Sequence, residues 1–307
     1  MKIIKPKFWV KKNFISYLLY PLSILTRISN LYRKLSFKKK FSIKTICIGN
    51  LYVGGTGKTS LAIEIHKILN KKFKIIFIKK KYEDQKDEIN LLKKKGEVIS
   101  TNDRGGSLTI AQKNEFEIAL LDDGLQQKNI EYDLKIVCFN TEESFGNNFL
   151  LPAGPLRESA NELKNYHLAF LNGEKKNNDL YSKLKAINKN LKIFEGKYEP
   201  INLKSFNRKK KYLMFCGIGN PQEFENTLKK YKFDVKYKII YPDHYMIPDN
   251  EINKLKEKAK KQDLTIITTE KDYLRLNKTK RKSIKFLEVK LKIKNMNKLK
   301  KILLSNL

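Results

Sequence analysis

The chain has 307 residues, enough for one large α/β domain or for two smaller domains that each bury a core. Its net charge of +33 predicts an anionic partner such as nucleic acid, a phospholipid surface or a phosphorylated substrate, or else reflects solvated surface lysines with no special role. The three cysteines lie singly in apolar runs without a C-x-x-C pair, which argues against a zinc site or a disulfide framework and fits a reducing cytoplasm.

The first distinctive segment is the uncharged stretch from Asn13 to Thr26, which has basic residues on both sides. A helix of this length reaches only about 21 Å at ~1.5 Å per residue, short of the roughly 30 Å hydrocarbon core of a bilayer. Aromatic residues and lysines flank it, which is typical of a helix lying in a membrane interface. A helix of the protein core and a signal peptide are the alternatives, although no small-residue cleavage site follows. The aromatic residues towards its two ends are Trp9, Tyr17, Tyr20 and Tyr32, and Lys38, Lys39 and Lys40 lie beyond them.

A glycine-rich motif follows at residues 54–59, which read Gly-Gly-Thr-Gly-Lys-Thr between an apolar strand-like run and a helix-patterned segment. This order is typical of a P-loop, whose backbone N–H groups surround phosphate oxygens while the lysine reaches the β- and γ-phosphates and the hydroxyl binds Mg²⁺. The strict pattern requires a glycine at position 52, where this chain has Tyr52. The predicted nucleotide-binding residues are Tyr52, Val53, Gly54, Gly55, Thr56, Gly57, Lys58 and Thr59.

Beyond this loop, apolar strand-like runs alternate with helical patterns, which predicts an α/β fold with a mostly parallel sheet of the P-loop NTPase type. After a polar stretch at 202–211 the alternation restarts, so we expect a second, smaller α/β domain. The predicted ranges are 1–40 for the membrane-associated segment, 41–201 for the P-loop domain and 212–307 for the smaller domain. In the first domain strands are expected at 73–78, 116–121 and 134–139 and a helix at 108–113. In the second, strands are expected at 212–216, 237–240 and 264–267, with helices at 224–231, 250–261 and around 298–304.

Three acidic or histidine-containing sites follow strands. Asp122 and Asp123 end the strand 116–121, where a carboxylate of a P-loop enzyme binds Mg²⁺, although Asp-Asp-Gly also forms a good turn. Asp87, next to Glu88 in a run of charged residues that begins at Lys79, reads by itself as part of a solvated loop. His244 leaves a strand for a loop, where an imidazole could assist a carboxylate base.

The loop at 145–158 is rich in glycine and proline yet strongly apolar, unlike an ordinary connector. It ends with Arg157 and Glu158, which either hold an anionic substrate or cap a helix. The composition of the loop leaves both readings open.

Several motifs, in their order along nearly the whole chain, resemble the tetraacyldisaccharide 4'-kinase family. They are Gly49-Asn50-Leu51 with the P-loop, Asp122-Asp123-Gly124-Leu125-Gln126, Gly146-Asn147 with the stretch from Leu151 to Glu158, Gly217-Ile218-Gly219-Asn220-Pro221, Pro242-Asp243-His244 and Thr268-Thr269-Glu270-Lys271-Asp272. The resemblance implies an enzyme that uses ATP and Mg²⁺ to phosphorylate the 4'-hydroxyl of an acylated disaccharide phosphate, the precursor of lipid A. It also implies a location at the cytoplasmic face of the bacterial inner membrane.

The resemblance further implies roles for individual residues. Lys58 and Thr59 would bind ATP and Mg²⁺, with Asp122 and Asp123 completing the metal site. Asp87 would be the base that accepts the proton of the sugar hydroxyl, with His244 as its partner. The implied substrate contacts are Tyr82, Arg104, Gln126, Arg157 and Glu158.

The chain departs from the family pattern in the stretch after its second predicted strand, where Lys80-Lys81-Tyr82-Glu83 stands in place of part of Ser-Arg-Gly-Tyr-Gly. The main alternative function is a membrane-associated switch ATPase of the partitioning-protein type, although that class carries a lysine where this chain has Val53. A nucleic-acid-binding ATPase is suggested by the net charge alone, and no recognisable RNA- or DNA-binding module is present. We therefore expect a lipid substrate and a membrane surface as partners, with neither nucleic acid nor an obligate protein partner.

Overall fold

The computed structural model describes residues 6–82, 86–243 and 245–306, and it confirms the α/β class. Its residues group into two compact units: the larger contains residues 6–81, 92–198 and 291–306, and the smaller contains the described residues of 82–91 and 199–290. The strands are β1 (Lys44–Gly49), β2 (Ile75–Lys80), β3 (Glu97–Thr101), β4 (Ile118–Asp122), β5 (Leu134–Asn140), β6 (Leu168–Asn172), β7 (Lys192–Pro200), β8 (Lys211–Cys216), β9 (Asp234–Ile240), β10 (Leu264–Thr269), β11 (Ile284–Leu287) and β12 (Val289–Ile293).

The helices have the following bounds, with short 3₁₀ turns between some of them. They are α1 (Phe14–Leu18), α2 (Ser23–Lys34), α3 (Lys58–Leu69), α4 (Lys86–Lys93), α5 (Arg104–Lys113), α6 (Asn178–Ile187), α7 (Pro221–Lys230), α8 (Asp249–Lys261), α9 (Glu270–Arg275) and α10 (Met296–Ser305). The strands and helices predicted from the sequence are present, with ends that differ by a few residues.

The larger unit is built around a sheet with the strand order β12-β7-β6-β5-β1-β4-β2-β3, in which every pairing from β7 to β3 is parallel. Strand β1 lies inside the sheet, and Ile46, Cys47 and Ile48 are fully buried because the sheet is covered on both faces. Ile48 on β1 and Lys79 on β2 both stand opposite Asp122 on β4. The last residues of β1, β2 and β4 therefore lie close together at the carboxyl edge of the sheet.

The smaller unit contains a second parallel sheet, with the order β11-β10-β8-β9. Its core includes Tyr212, Phe215 and Ile267, each at most 1% exposed. Helix α9 follows β10 directly, and Thr269 caps it by accepting a hydrogen bond from the backbone N–H of Asp272 at 3.2 Å. This cap fixes where α9 starts, and with it the orientation of the acidic and basic side chains that the helix carries.

The N-terminal segment differs from the predicted single helix over 13–26. Helix α1 ends at Leu18, a 3₁₀ turn spans Tyr20–Leu22, and α2 then continues to Lys34. The interruption lies at Pro21, whose ring leaves no backbone N–H for a continuous helix. No helix in the part of the chain that the structure describes is both long and apolar enough to cross a membrane.

The two compact units also group the chain differently from the predicted ranges. Residues 291–306 belong to the larger unit and not to a domain of 212–307, because β12 lies beside β7 at the edge of the large sheet and α10 buries Leu299 and Leu303. Residues 82–91, by contrast, belong to the smaller unit. Both assignments depend on contacts between distant parts of the chain, which local sequence patterns do not reveal.

Candidate active site

The glycine loop joins β1 to α3 as the sequence predicts. Gly57 ends the loop with φ of 83°, the left-handed conformation that favours glycine, and a Cβ atom there would lie 3.0 Å from the hydroxyl of Tyr198 and 3.2 Å from Nδ2 of Asn172. Lys58 and Thr59 form the first turn of α3, where backbone N–H groups lack partners within the helix. This arrangement is suited to binding a phosphate group.

Two of the predicted nucleotide-binding residues have other partners. Tyr52 is 1% exposed, and its hydroxyl accepts a hydrogen bond of 2.6 Å from the backbone N–H of Asn140. The N–H of Val53 donates to the carbonyl of Pro155 at 2.9 Å. The hydroxyl of Tyr52 and the amide of Val53 are therefore already bonded within the protein, and the assignment of residues 52–59 to nucleotide binding stays a prediction. Tyr52 stands in place of glycine because its ring fills the core beside Phe139.

The hydroxyl and carboxylate predicted to bind the metal lie in contact. Thr59 donates a hydrogen bond to Oδ2 of Asp122 at 2.9 Å, and Asp122 is fully buried. Its other oxygen, Oδ1, has no hydrogen-bond partner among the described residues. Within those residues no three His, Cys, Asp or Glu side chains cluster as a metal site. Because Mg²⁺ prefers a few protein oxygens together with water and phosphate, one hydroxyl and a buried carboxylate with an unsatisfied oxygen fit it.

Asp123, the second predicted metal ligand, lies in a cluster of positive charge. Arg157 donates to both of its carboxylate oxygens at 3.0 and 3.1 Å, and Nζ of Lys58 lies 3.9 Å from Oδ1. Burial raises the pKa of Asp123, but the charges of Lys58 and Arg157 outweigh burial and lower this pKa to about 2. Asp123 is therefore a carboxylate at neutral pH.

The other predicted substrate residues of the larger unit join the same network. Arg104 donates to the carbonyl of Asp123 at 2.7 Å and to the side chain of Gln127 at 3.0 Å. Gln126 donates to the carbonyl of Asn50 at 2.8 Å. The buried carboxylate of Glu158 contacts Gln126, Tyr166 and Lys128, so the loop ending in Glu158 is tied to the residues after β4. Glu158 does not start a regular helix, as one reading of the sequence proposed; Ser159 caps a 3₁₀ turn instead.

The apolar loop at 145–158 has a structural explanation in its contacts with the N-terminal helices. Ser23, Thr26 and Asn30 of α2 donate hydrogen bonds of 2.7–2.9 Å to the carbonyls of residues 150, 151 and 157. The polar side of α2 thus faces the protein, and its large apolar residues are exposed. Those of the N-terminal segment that are at least half exposed are Val10, Phe14, Tyr17, Leu18, Leu22, Ile24, Leu25, Ile28, Leu31, Tyr32, Leu35 and Phe37.

In the smaller unit, the predicted base Asp87 lies in the first turn of α4 and is 2% exposed. The reading of this residue as part of a solvated loop is therefore wrong. Arg275 of α9 donates to Oδ2 of Asp87 at 2.8 Å and to Oδ1 of Asp272 at 2.6 Å. Burial lowers the pKa of Arg275, but the two carboxylates outweigh burial and raise this pKa above its ordinary value. Arg275 therefore stays charged and holds Asp87 in place.

Two further residues with predicted roles remain, Tyr82 and His244. Tyr82 is 39% exposed at the start of the smaller unit. His244, predicted as the partner of Asp87, lies outside the described residues. Arg275 is a partner of Asp87 among the residues that the structure describes.

Comparison with known proteins assigns the chain to a family. The sequence profile of tetraacyldisaccharide-1-P 4'-kinase matches residues 15–307. A tetraacyldisaccharide 4'-kinase of Pelagibacter ubique is 46% identical over 313 aligned positions, covering 98% of this chain and 99% of that protein. The chain belongs to the tetraacyldisaccharide 4'-kinase family.

Other relatives agree with this assignment. A tetraacyldisaccharide 4'-kinase of Rickettsia akari is 33% identical, with 96% of this chain and 95% of that protein aligned. The crystal structure of a family member from Aquifex aeolicus in complex with ATP matches with a TM-score of 0.71 over 95% of this chain and 99% of that one. At 22% identity the latter match confirms the fold. The alternative of a partitioning-type switch ATPase is less supported by these comparisons.

Two buried cations, Lys79 and Arg275, are indicated neither by the residue patterns nor by the family resemblance. Lys79 donates to Asp122 at 2.7 Å and is 2% exposed, although the sequence places it at the start of a charged run. Arg275 lies in an ordinary charged helix by sequence. Position could have revealed Lys79, because it continues the apolar run of β2 and stands opposite Asp122 in the sheet. No comparable local signal marks Arg275.

Proposed function

We propose that this chain transfers the γ-phosphoryl group of ATP to the 4'-hydroxyl of a tetraacyl disaccharide 1-phosphate. The observation that carries the proposal is the contact between Thr59 of the glycine loop and Asp122, with Lys58 beside Asp123, in a chain of this kinase family. Phosphoryl transfer depends on in-line positioning and on neutralising charge more than on covalent catalysis by the protein. A lysine, a metal site and a carboxylate base therefore suffice.

In this proposal the loop residues 54–57 surround the phosphates with backbone N–H groups, and Lys58 neutralises the β- and γ-phosphates. Thr59 and Asp122 would hold Mg²⁺, with Asp123 beside them. When bound, Mg²⁺ would neutralise phosphate charge and orient the phosphate oxygens. Arg157 already contacts Asp123. Its guanidinium is the cation best suited to stabilise negative charge that shifts within this cluster.

The acceptor hydroxyl loses its proton to Asp87 as its oxygen bonds to the γ-phosphorus and the bond to the β–γ bridging oxygen breaks. Arg275 orients Asp87, because it is a permanent cation at hydrogen-bond distance from the carboxylate. Of the implied substrate residues, we assign the exposed Tyr82 and the partly exposed Arg157 to direct contact with the lipid substrate. The buried Arg104 and Glu158, together with Gln126, instead hold Asp123 and its loop.

We further propose that the N-terminal segment lies in the cytoplasmic surface of the inner membrane, where an acylated substrate resides. Its support is the inverted arrangement of α2, which uses Ser23, Thr26 and Asn30 for protein contacts and leaves leucine, isoleucine and aromatic side chains exposed. Basic residues on both sides of the segment would add about 1 kcal/mol each at an anionic surface. The acyl chains of the substrate would then never need to leave the bilayer.

The test is incubation of the purified protein with ATP, Mg²⁺ and the disaccharide 1-phosphate in detergent micelles, followed by mass spectrometry of the lipid. We expect the lipid to gain one phosphate. Lys58→Ala and Asp87→Asn should each abolish this gain, whereas Lys113→Ala, which removes an exposed lysine, should not. A wild-type protein that hydrolyses ATP and leaves the lipid unchanged would refute the proposal. An Asp87→Asn enzyme with the wild-type rate would refute only the assignment of the base.

A further inference from the structure

A buried lysine lies beside the carboxylate assigned to the metal. Lys79 is 2% exposed, and its Nζ atom donates to Oδ2 of Asp122 at 2.7 Å. The backbone places it there, because Lys79 on β2 stands opposite Asp122 on the neighbouring parallel strand β4. A lysine is seldom fully buried unless it is paired, so this contact fixes both side chains.

The two oxygens of Asp122 are used unequally. Oδ2 accepts hydrogen bonds from both Lys79 at 2.7 Å and Thr59 at 2.9 Å. Oδ1 is buried and has no hydrogen-bond partner among the residues described. A buried, unsatisfied carboxylate oxygen calls for a ligand, and a hard cation is the ligand that satisfies it best. The two donors thus hold the carboxylate through Oδ2 and leave Oδ1 available to bind the metal.

We propose that Lys79 is a positioning residue of the metal site, which holds Asp122 in place before nucleotide binds and weakens the binding of free Mg²⁺. This inference rests on the proposed function, because it takes Asp122 as a metal ligand. A fixed positive charge in contact with a ligand carboxylate repels a divalent cation in a poorly solvated site. The negative charge of nucleotide phosphates offsets that repulsion. Mg²⁺ therefore binds with the nucleotide and not before it.

The test is titration of the protein with Mn²⁺, a paramagnetic substitute for Mg²⁺ whose free concentration is read by electron paramagnetic resonance. The variant is Lys79→Met, which removes the charge and keeps much of the length of the side chain. Lys81→Met, two residues along the chain and exposed, is the matched control. Each protein is titrated without nucleotide and with saturating ADP.

We expect Lys79→Met to bind Mn²⁺ at least about tenfold more tightly than wild type without nucleotide. ADP should tighten Mn²⁺ binding strongly in wild type and in Lys81→Met, and clearly less in Lys79→Met. Lys79→Gln carries the same expectation and serves if the methionine variant does not fold. Lys79→Arg, which keeps the charge, should behave like wild type.

Equal Mn²⁺ affinities of wild type and the uncharged variants, within about twofold, would overturn the inference. Such a result in an enzyme that phosphorylates the lipid would leave the proposed function standing. A wild-type protein that binds no Mn²⁺ even with ADP would instead remove the metal site itself, and with it the proposed function.

Discussion

Arg275 donates a hydrogen bond of 2.8 Å to Asp87, and the side chains of both residues are at least 95% buried. The same guanidinium bonds Asp272 and the carbonyl of Gly217. One cation thus compensates two buried carboxylates, and its planar fork fixes their orientation. A carboxylate proposed to accept a proton from a sugar needs such fixed geometry.

Replacing this arginine tests whether the ion pair orients the base. In Arg275→Gln the buried carboxylates lose their counter-ion. We therefore expect this variant to lower kcat for lipid phosphorylation by about tenfold or more and to destabilise the protein by about 3 kcal/mol. Arg275→Lys should recover part of the rate because it keeps the charge and loses the fork. The measurements are steady-state kinetics and denaturant unfolding, with binding of a fluorescent ATP analogue as a control that should not change. A wild-type kcat in the glutamine variant would show that Asp87 needs no such partner.

Tyr52 offers a test of how the glycine loop is supported. Tyr52→Phe loses the hydrogen bond from Asn140 and should cost about 1 kcal/mol. Tyr52→Gly restores the strict P-loop pattern but leaves the space of a buried ring empty, so it should cost about 3–5 kcal/mol and not improve ATP binding. Thermal unfolding and ATP titration of the two variants measure both effects. A glycine variant as stable as wild type would mean that the ring contributes no core packing.

The acid sensitivity of the protein should depend partly on Asp123. Its pKa is lowered from an ordinary value of 3.8 to about 2, so between these values the unfolded chain binds more protons than the folded one. This contribution, about 2 kcal/mol, is complete above about pH 4 and is lost as the pH falls through about 2. We expect the difference in unfolding free energy between wild type and Asp123→Asn to shrink as the pH falls from 5 to 2. A difference that stays constant over this range would contradict the lowered pKa.

Membrane binding should depend on the exposed apolar residues of the N-terminal helices. The double substitution Leu18→Ser and Leu25→Ser removes two side chains that are 67% and 66% exposed, and it should weaken binding to anionic phosphatidylglycerol vesicles by at least about tenfold. Ile110→Ser, which alters an apolar residue of α5 that is 51% exposed, is the control and should bind like wild type. Vesicle flotation measures the bound fraction. Equal flotation of all three proteins would argue against an interfacial segment.

The sequence predicts the parts of this site that depend on local pattern. The glycine loop, the helix after it and the acidic residues at the end of β4 follow from spacing and from apolar periodicity alone. Their convergence is also predictable, because carboxyl ends of neighbouring parallel strands meet at one edge of a sheet. The family resemblance supplies the reaction, which these patterns alone do not determine.

The parts that the sequence does not predict depend on contacts between distant segments. Lys79 reads as the first residue of a charged run, and only its register beside Asp122 explains its burial. Asp87 reads as solvated until Arg275, 188 positions away, is placed beside it. The apolar side of α2 leaves a core helix open as an alternative until the hydrogen bonds of its polar side are known. Periodicity predicts that a helix has an apolar stripe, but it does not predict whether that stripe faces the protein core or the outside.

The most direct test of the proposed reaction follows the label from [γ-³²P]ATP in a mixture of purified protein, Mg²⁺ and the tetraacyl disaccharide 1-phosphate. We expect wild-type protein to transfer the label to the lipid, at the 4'-position by NMR of the unlabelled product, and Lys58→Ala to transfer none. Label that appears only as inorganic phosphate, with the lipid unchanged, would contradict the assignment of this chain as a lipid 4'-kinase.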